Sequence, residues 1–543
     1  MTQAAEGVFT PFAASRQARE ASQRWGRIAG ALIAVAATFA LLAAMAAMAA
    51  NLADRPMRAL QADIESALAS GAYPEDVARF YAGRDFKPLW VTASGGSPLG
   101  RSLALRPEAR RAAALAPAPA KAAAEATFRA AASHRPAALA SAELATSMAL
   151  GAYVRGLAPP GPEPLAFLDP DLARPQDAGA VLYEAASAPS IGAYVAAVAE
   201  VNPVYRDLKA GLDRYRATWS RLPQTPIPPG PTLKLGDTGP RVALLRTRLG
   251  LAAEPATFDA ELAAALRRFQ AAHALAQSET LDAGAAAALN AGAAHYERLI
   301  EANLDRARTF PPVVGGRFVL VNVAARELSV YENGRPAHSM RVVVGARDEP
   351  TPEMAGLLRY LVFNPYWNIP VDMVRTTVAP HVLREGPEYV RRARLQVLSD
   401  WDDMPVEVDP RTVDWDAVSR GWQELRVRQL PGADNMMGRM KFMAPNELGV
   451  YLHDTPNKAA FRADRLASAG CVRLEAAETL ASWLLGGTLP DLKSVGVDRE
   501  AYLPQPIRLY IAYLTAAPGP AGVVFHPDVY GRDGSQAAAK PAP

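Results

Sequence analysis

The chain contains one cysteine, Cys471, within Ser468-Ala469-Gly470-Cys471-Val472-Arg473, and His453 precedes it within Tyr451-Leu452-His453-Asp454-Thr455-Pro456. A lone thiol forms no intramolecular disulfide. If it carries chemistry, it does so as a nucleophile, and a cysteine nucleophile needs a histidine close in space. The competing reading is an inert buried side chain, since free Cys is among the most buried residue types. The flanking residues favour the nucleophile. Leu448, Val450 and Leu452 alternate with Tyr451 and His453, so His453 should emerge at a strand end, opposite the apolar row. Beyond the cysteine, Leu474 to Leu485 reads as a helix closed by Gly486-Gly487. This predicts that Cys471 sits in a turn ahead of a helix N-terminus. There the helix dipole would favour the thiolate, free backbone N–H groups could receive an oxyanion, and Gly470 would admit close approach of a carbonyl. The residues alone therefore predict a cysteine acyl-transfer site with His453 as its base.

The elements that must hold this site begin at Arg317, where the hydrophobic period becomes two. Phe318, Leu320 and Asn322 alternate with Val319, Val321 and Val323; Leu328 and Val330 follow, then Asn333-Gly334, then Met340, Val342 and Val344. Asn-Gly between alternating runs is a strong hairpin signal. Leu361-Val362-Phe363 and Leu448 to Leu452 read as further strands, residues 372–428 as a charged, helical-looking insertion, and 505–513 with 521–530 as closing strands or an edge. Upstream, residues 233–290 form a compact pattern. Lys234-Leu235-Gly236-Asp237-Thr238-Gly239 makes a turn, Val242, Leu245 and Leu249 make one helical stripe, and Leu262, Leu266 and Phe269 make another. Pro223 to Pro231 reads as a stiff linker. From Met57 to Leu222 the pattern is helical and irregular; Leu60, Ile64 and Leu68 share a face, Phe80 to Trp90 is an aromatic-rich packing turn, and residues 92–140 are expected to be partly loop or disordered.

The 543 residues carry a formal net charge of +3, which implies no polyanionic partner and no nucleic acid. Histidines are scattered, without HExxH or CxxC, so no metal and no cofactor is expected. Ile28 to Ala50 contains no charged residue, with Arg16, Arg19, Arg24 and Arg27 before it and Asp54 and Arg55 after it. A span needs about 20 residues, and the basic flank predicts a cytoplasmic tail over 1–27 and export of the remainder. The reading is an inner-membrane protein with a single anchor over 28–50 and its catalytic part in the periplasm. A cleaved signal peptide releasing the chain to the periplasm is the alternative.

His453-Asp454-Thr455-Pro456, Phe461, Arg465 and Ser468-Ala469-Gly470-Cys471-Val472-Arg473 resemble the signature of the L,D-transpeptidases, the YkuD-domain cell-wall enzymes. Thr351-Pro352, Asn364 to Pro370, Arg428 to Gly438, Val529 to Asp533 and Tyr81…Pro88-Leu89-Trp90 extend the likeness to the large membrane-anchored subgroup. The 233–290 unit resembles the three-helix peptidoglycan-binding domain. The resemblance implies a multidomain α+β protein: a helical scaffold over 54–230 with an Ala/Pro-rich part, a peptidoglycan-binding domain over 231–292, a mostly β catalytic domain over 310–490 with a lid at 372–428, and a closing segment and tail over 491–543. It implies Cys471 as nucleophile and His453 as proton acceptor and donor. Gly470, Asp454 and Ser468 would support the oxyanion and the base, and Arg473, Tyr451, Trp367 and Asn435 would contact substrate. The implied reaction cleaves the diaminopimelate–D-alanine bond of tetrapeptide stems and forms 3→3 crosslinks in peptidoglycan, with carbapenem β-lactams as inhibitors. The alternatives are a carboxypeptidase or lipoprotein-attaching acyltransferase, or an inactive wall-binding scaffold. The last draws on Ala469, which stands where many relatives have His.

Overall fold

The computed structural model describes residues 14–94, 102–157, 165–169, 172, 177–310, 316–462, 464–492, 494–520 and 522–534. Residues 1–13 of the expected cytoplasmic tail and residues 535–543 of the C-terminal tail therefore lie outside the described residues. The chain divides into two compact units, one of residues 1–155 and 176–195, the other of 156–175 and 196–543.

The first unit is helical. Helix α1 (Ala14–Ala69) contains the apolar segment and runs on without a break through Pro56, burying Leu60, Ile64 and Leu68 at the spacing read from the sequence. After α2 (Glu75–Ala82) come the antiparallel pair β1 (Val91–Ser94) and β2 (Ser102–Leu105), then α3 (Pro107–Leu115), α4 (Ala118–Ala131) and α5 (Pro136–Gly156). Helix thus takes up more of residues 102–140 than the sequence pattern suggested, with strand and connecting segments between, while residues 95–101 of that stretch lie outside the described residues. Proline stands in the first turn of α3 and α4, where its missing N–H costs nothing. Their buried faces are built from Ala109, Ala112, Ala113, Ala124, Phe128 and Ala131, so close packing of small side chains replaces the large apolar residues the pattern lacked. The aromatic turn is core: Phe80, Tyr81 and Trp90 are buried around Glu143, whose carboxylate accepts the Trp90 N–H at 2.8 Å and the Tyr81 hydroxyl at 2.7 Å. Helix α6 (Ala178–Ser187) follows, then α7 (Ile191–Ala199).

The second unit opens with β3 (Ala166–Phe167) and α8 (Pro203–Thr218). Helix α8 packs on α12 (Ala293–Arg308) through Leu208, Leu212, Tyr215, Tyr296, Ile300 and Leu304, within this unit. Between them lie α9 (Pro240–Arg248), α10 (Ala260–Ala272) and α11 (Ala283–Ala291), a three-helix body whose core includes Val242, Leu245, Phe258, Leu262, Leu266, Phe269 and Leu289. The proline segment before it is irregular, and Ile227 is pinned there by both backbone groups to the Asn290 side chain, at 2.8 and 2.9 Å.

Strands β4 (Phe318–Asn322), β5 (Glu327–Glu332), β6 (Arg335–Gly345) and β7 (Met354–Phe363) start the β-rich part. The Asn333-Gly334 turn joins β5 to β6 with φ of 49° and 74°, the left-handed pair such a hairpin needs. Strand β8 (Trp367–Ile369) opens the insertion, which continues through α13 (Val371–Met373), α14 (Ala379–Glu385), α15 (Glu388–Arg392), β9 (Leu395–Leu398), α16 (Trp415–Ser419) and β10 (Arg426–Gln429). The expected helices are present, but so is a three-stranded sheet in the order β8-β10-β9, and the whole closes over its own core of Val374, Val378, Val397, Trp415 and Val427.

The remaining strands are β11 (Met440–Met443), β12 (Leu452–His453), β13 (Leu466–Ser468), β14 (Val472–Leu474) and β15 (Arg499–Ala512), with α17 (Ala477–Leu485) between the last two and the hairpin β16 (Ala516–Gly519) and β17 (Gly522–Phe525) at the end. Pairing runs β11-β12-β14-β6-β5-β4-β15-β7, and β7 pairs with β11 again, closing the circuit. Inside it pack Val319, Val321, Leu361, Phe442, Leu452, Val472 and Leu509. Phe318, Leu320 and Tyr510 face outward onto Phe310 and Tyr331. Strand β4 is buried on both faces for this reason, as its uninterrupted apolar sequence requires. Strand β15 lies between β4 and β7; the 505–513 segment is a central strand rather than an edge, and the β-rich domain extends past residue 490.

Candidate active site

Three strands carry the candidate residues. Lys441 on β11 pairs with His453 on β12, and His453 pairs with Arg473 on β14. Paired positions on neighbouring strands project to the same face, so Lys441, His453 and Arg473 form a row. Tyr451, two residues before His453, shares that face, its ring 6.1 Å from the imidazole. The opposite face supplies Phe442, Leu452, Val472 and Leu474 to the core. The expected alternation holds for Val450, Leu452 and His453, while Leu448 is exposed because Gly449, at φ 63°, turns the chain before the strand begins.

Cys471 precedes β14 directly, and helix α17 starts only at Ala477. The expected helix N-terminus at the thiol is therefore absent. Val472-Arg473-Leu474 alternates apolar and polar and is drawn into the sheet between β12 and β6, which displaces the helix start. Burial pushes the Cys471 thiol up from its ordinary range, opposed by the Tyr451 backbone and the Lys441 and Arg473 charges.

His453 is 3% exposed. Its Nδ1 donates to the Asp454 carbonyl oxygen at 2.6 Å; a carbonyl only accepts, so Nδ1 carries the proton and Nε2 is left with its lone pair. Burial, with Arg473 and Lys441 adding to it, lowers the imidazole to about 4 against the pull of the Asp454 backbone. At neutral pH the pair is therefore a neutral thiol and a neutral imidazole. The thiol's hydrogen bond runs to the Gly449 carbonyl at 3.8 Å. The Asp454 carboxylate turns away from the imidazole, bonding Lys458 Nζ at 2.7 Å and the Arg439 N–H at 3.0 Å.

Gly470 is buried with φ 93°, and neither its N–H nor that of Cys471 donates to any group among the described residues. Ser468 is buried and its hydroxyl donates to the Cys471 carbonyl. Tyr451 is partly buried, its hydroxyl raised by burial and by the neighbouring thiol. Trp367 lies on β8 and packs against the core of the insertion. Asn435 lies in the loop between β10 and β11. It is 1% exposed, and its amide is committed to the Pro365, Gln429 and Leu430 carbonyls and the Met437 N–H, which fixes the loop joining the insertion to β11.

Lys441 is the member that sequence reasoning missed. Its ammonium lies 3.7 Å from the centre of the Tyr451 ring, burial lowers its pKa, and it makes no ion pair among the described residues. Arg473 likewise makes none, and its Nε is buried without a partner. The available signal was a single lysine in the otherwise apolar run Met440-Lys441-Phe442-Met443. Ala469 is exposed. Among the described residues no group of three or more His, Cys, Asp or Glu is placed to hold a metal ion.

Residues 316–497 match the family described as the L,D-transpeptidase catalytic domain, and residues 75–212 match the one described as the scaffold domain. The chain is 33% identical over 238 residues to a Haemophilus influenzae protein named "Putative L,D-transpeptidase", a match covering 42% of this chain and 47% of that one. The chain thus spans about half the length of the curated relative it matches. Among solved structures it is similar to an L,D-transpeptidase from Mycobacterium smegmatis, at 12% identity over 36% of this chain and 59% of that chain, with a TM-score of 0.18. It is also similar to one from Xylanimonas cellulosilytica, at 15% identity over 52% and 99%, with a TM-score of 0.16.

Proposed function

This chain carries an L,D-transpeptidase catalytic domain over residues 316–497, and on that premise we propose that Cys471 and His453 build 3→3 crosslinks between peptidoglycan stems. The observation that carries the reading is the row Lys441–His453–Arg473 beside Cys471 and Tyr451: a nucleophile, a base with a free Nε2, and two unneutralised cations suited to a stem peptide rich in carboxylates. His453 Nε2 takes the thiol proton as sulfur attacks the carbonyl carbon of the diaminopimelate–D-alanine amide. The C–S bond forms, the oxyanion is received by the Gly470 and Cys471 N–H groups, and the C–N bond breaks as the proton passes from His453 to the departing D-alanine amine. The side-chain amine of a second stem then attacks the thioester and gives its proton to His453. A new C–N bond forms, the C–S bond breaks, and the thiol is restored.

The rest of the chain supports the same use. The three-helix body would bind peptidoglycan, the insertion over 372–428 would act as a lid, and the apolar part of α1 would anchor the chain in the inner membrane with the catalytic part in the periplasm. Among the described residues two helices are long and apolar enough to cross a membrane, Val35–Ala69 and Pro136–Gly156, and 61% of the apolar stretch of the second is buried, which favours the first for the proposed anchor.

The test is muropeptide analysis after incubating the full chain with purified tetrapeptide dimers. Accumulation of 3→3 dimers that depends on Cys471 supports the reading; tripeptides without such dimers point to a hydrolase. Fluorescent carbapenem labelling of folded wild type but not of Cys471→Ala is expected, and a folded, unlabelled wild type refutes the acyl-enzyme.

A further inference from the structure

We propose that Thr351, held in place by Tyr530, is the positioning residue that aims the Cys471 N–H into the oxyanion site. The inference rests on the acyl-transfer reading above.

The argument starts from the peptide unit between Gly470 and Cys471. Its carbonyl and its N–H belong to one planar trans amide and point in opposite directions. Gly470, at φ 93°, has no side chain to restrict rotation of that plane. Something outside the turn must fix it, and Thr351 does. Its hydroxyl donates to the Gly470 carbonyl oxygen at 2.8 Å and accepts the Gly345 N–H at 2.8 Å. Thr351 is 0% exposed, so no water competes for either bond. Fixing the carbonyl toward Thr351 turns the Cys471 N–H the other way, where it has no partner among the described residues. An oriented, unspent donor on the nucleophile's own backbone is what a developing oxyanion requires.

Thr351 is itself held from the far end of the chain. The Tyr530 hydroxyl donates to the Gly345 carbonyl at 2.7 Å and accepts the Thr351 N–H at 3.3 Å. The Tyr530 N–H donates to the Tyr513 hydroxyl at 2.9 Å, which donates to Asp528 at 2.6 Å. Asp528 also receives the Arg532 and Asp533 N–H groups, at 2.8 and 3.0 Å. Gly345 is required because the loop back to Thr351 passes so close that a Cβ there would collide with the Glu349 carbonyl and the Thr351 nitrogen. The Thr351-Pro352 and Val529–Asp533 segments, both without a role in the chemistry above, are thereby linked in series: Tyr530 holds Thr351, and Thr351 holds the Gly470 carbonyl next to the nucleophile.

The experiment follows acylation of Cys471 by meropenem in the full chain, comparing Thr351→Val, Thr351→Ser and Tyr530→Phe with wild type. Valine keeps the shape and removes the donor; serine keeps the donor. Thr351→Val is expected to lower the maximal acylation rate ~10- to 100-fold, somewhat less than deletion of an oxyanion donor itself, with the half-saturating meropenem concentration within about twofold of wild type. Thr351→Ser should restore most of the rate, and Tyr530→Phe should fall between. Isotope-edited infrared spectra of the acyl-enzyme should place the thioester carbonyl stretch of Thr351→Val at a higher frequency than wild type, the mark of a weaker hydrogen bond to that oxygen, which a purely structural role would not move. A Thr351→Val enzyme with the wild-type maximal rate and carbonyl frequency overturns the proposal, as does equal slowing by valine and serine. If Thr351→Val fails to fold, a folded Tyr530→Phe with unchanged maximal rate and frequency overturns it. A folded wild type that meropenem does not acylate overturns the acyl-transfer reading itself, and this inference with it.

Discussion

At the scale of single residues, the site is a neutral pair in a cationic row. Because burial raises the Cys471 thiol, iodoacetamide alkylation is expected to climb about tenfold per pH unit from 6 to 9 without a plateau near neutrality. An early plateau, measured by mass spectrometry of the alkylated peptide, would mean a preformed thiolate. Lys441→Met removes a cation that favours the thiolate, so the thiol should rise further and alkylation at pH 8 should slow several-fold, while the His453 imidazole, relieved of a positive neighbour, moves up from about 4. The placement of His453 at a strand end and of Cys471 in a turn was legible in the sequence because Cys471 is alone and His453 ends an alternating run. Lys441 was not, since a lone lysine on a strand ordinarily marks a solvated face. The helix N-terminus assigned to Cys471 failed at Val472 and Leu474: three residues that fit either a first helical turn or a short strand were settled by the pairing partners β6 and β12, which lie far away in sequence.

At the scale of elements, the three-helix body is joined to the rest of its unit through a buried histidine. His273, at the end of α10, stacks on Phe269 and on Phe525 of β17 with centroids at 4.0 and 5.4 Å, and its Nε2 meets the Tyr215 hydroxyl of α8 at 3.0 Å. Burial lowers the imidazole from 6.5 to about 4. A depressed histidine binds its proton more readily when exposed, so its contribution is complete above pH 6.5 and is lost as pH falls toward 4, by about 3 kcal/mol at most. Thermal melts of wild type should drop over that interval, and His273→Leu should flatten the drop. In the first unit, Glu143→Ala is expected to cost roughly 2–4 kcal/mol by stranding the buried Leu89 and Trp90 N–H groups; a melt shifted by less than a degree would contradict this. The Asn333-Gly334 hairpin and the α9–α11 stripes were readable from local pattern alone. The α3 and α4 helices were not, because alanine carries no periodic signal that distinguishes a buried face from an exposed one.

At the scale of the whole molecule, the proposed anchor and wall-binding body act through local concentration rather than through new contacts. Removing residues 28–50 should move the protein from the membrane pellet to the soluble fraction, and persistence in the pellet would count against the anchor. Leu235 stands 66% exposed in the turn before α9, and Leu235→Glu is expected to reduce co-sedimentation with isolated peptidoglycan several-fold at an unchanged melting temperature. The boundaries of the units were the least legible part of the sequence. Helix α8 looks like the helices before it, and only its packing on α12 and β17 places it in the second unit. The closed strand circuit has a consequence for the order of events in the life of the chain. Strand β15, ending at Ala512, is wedged between β4 and β7, so a polypeptide emerging N-terminus first, from a ribosome or an export pore, cannot close the barrel until β15 is out. Until that moment Cys471 is an ordinary thiol on an open chain. A product truncated before β15 leaves the circuit open between β4 and β7.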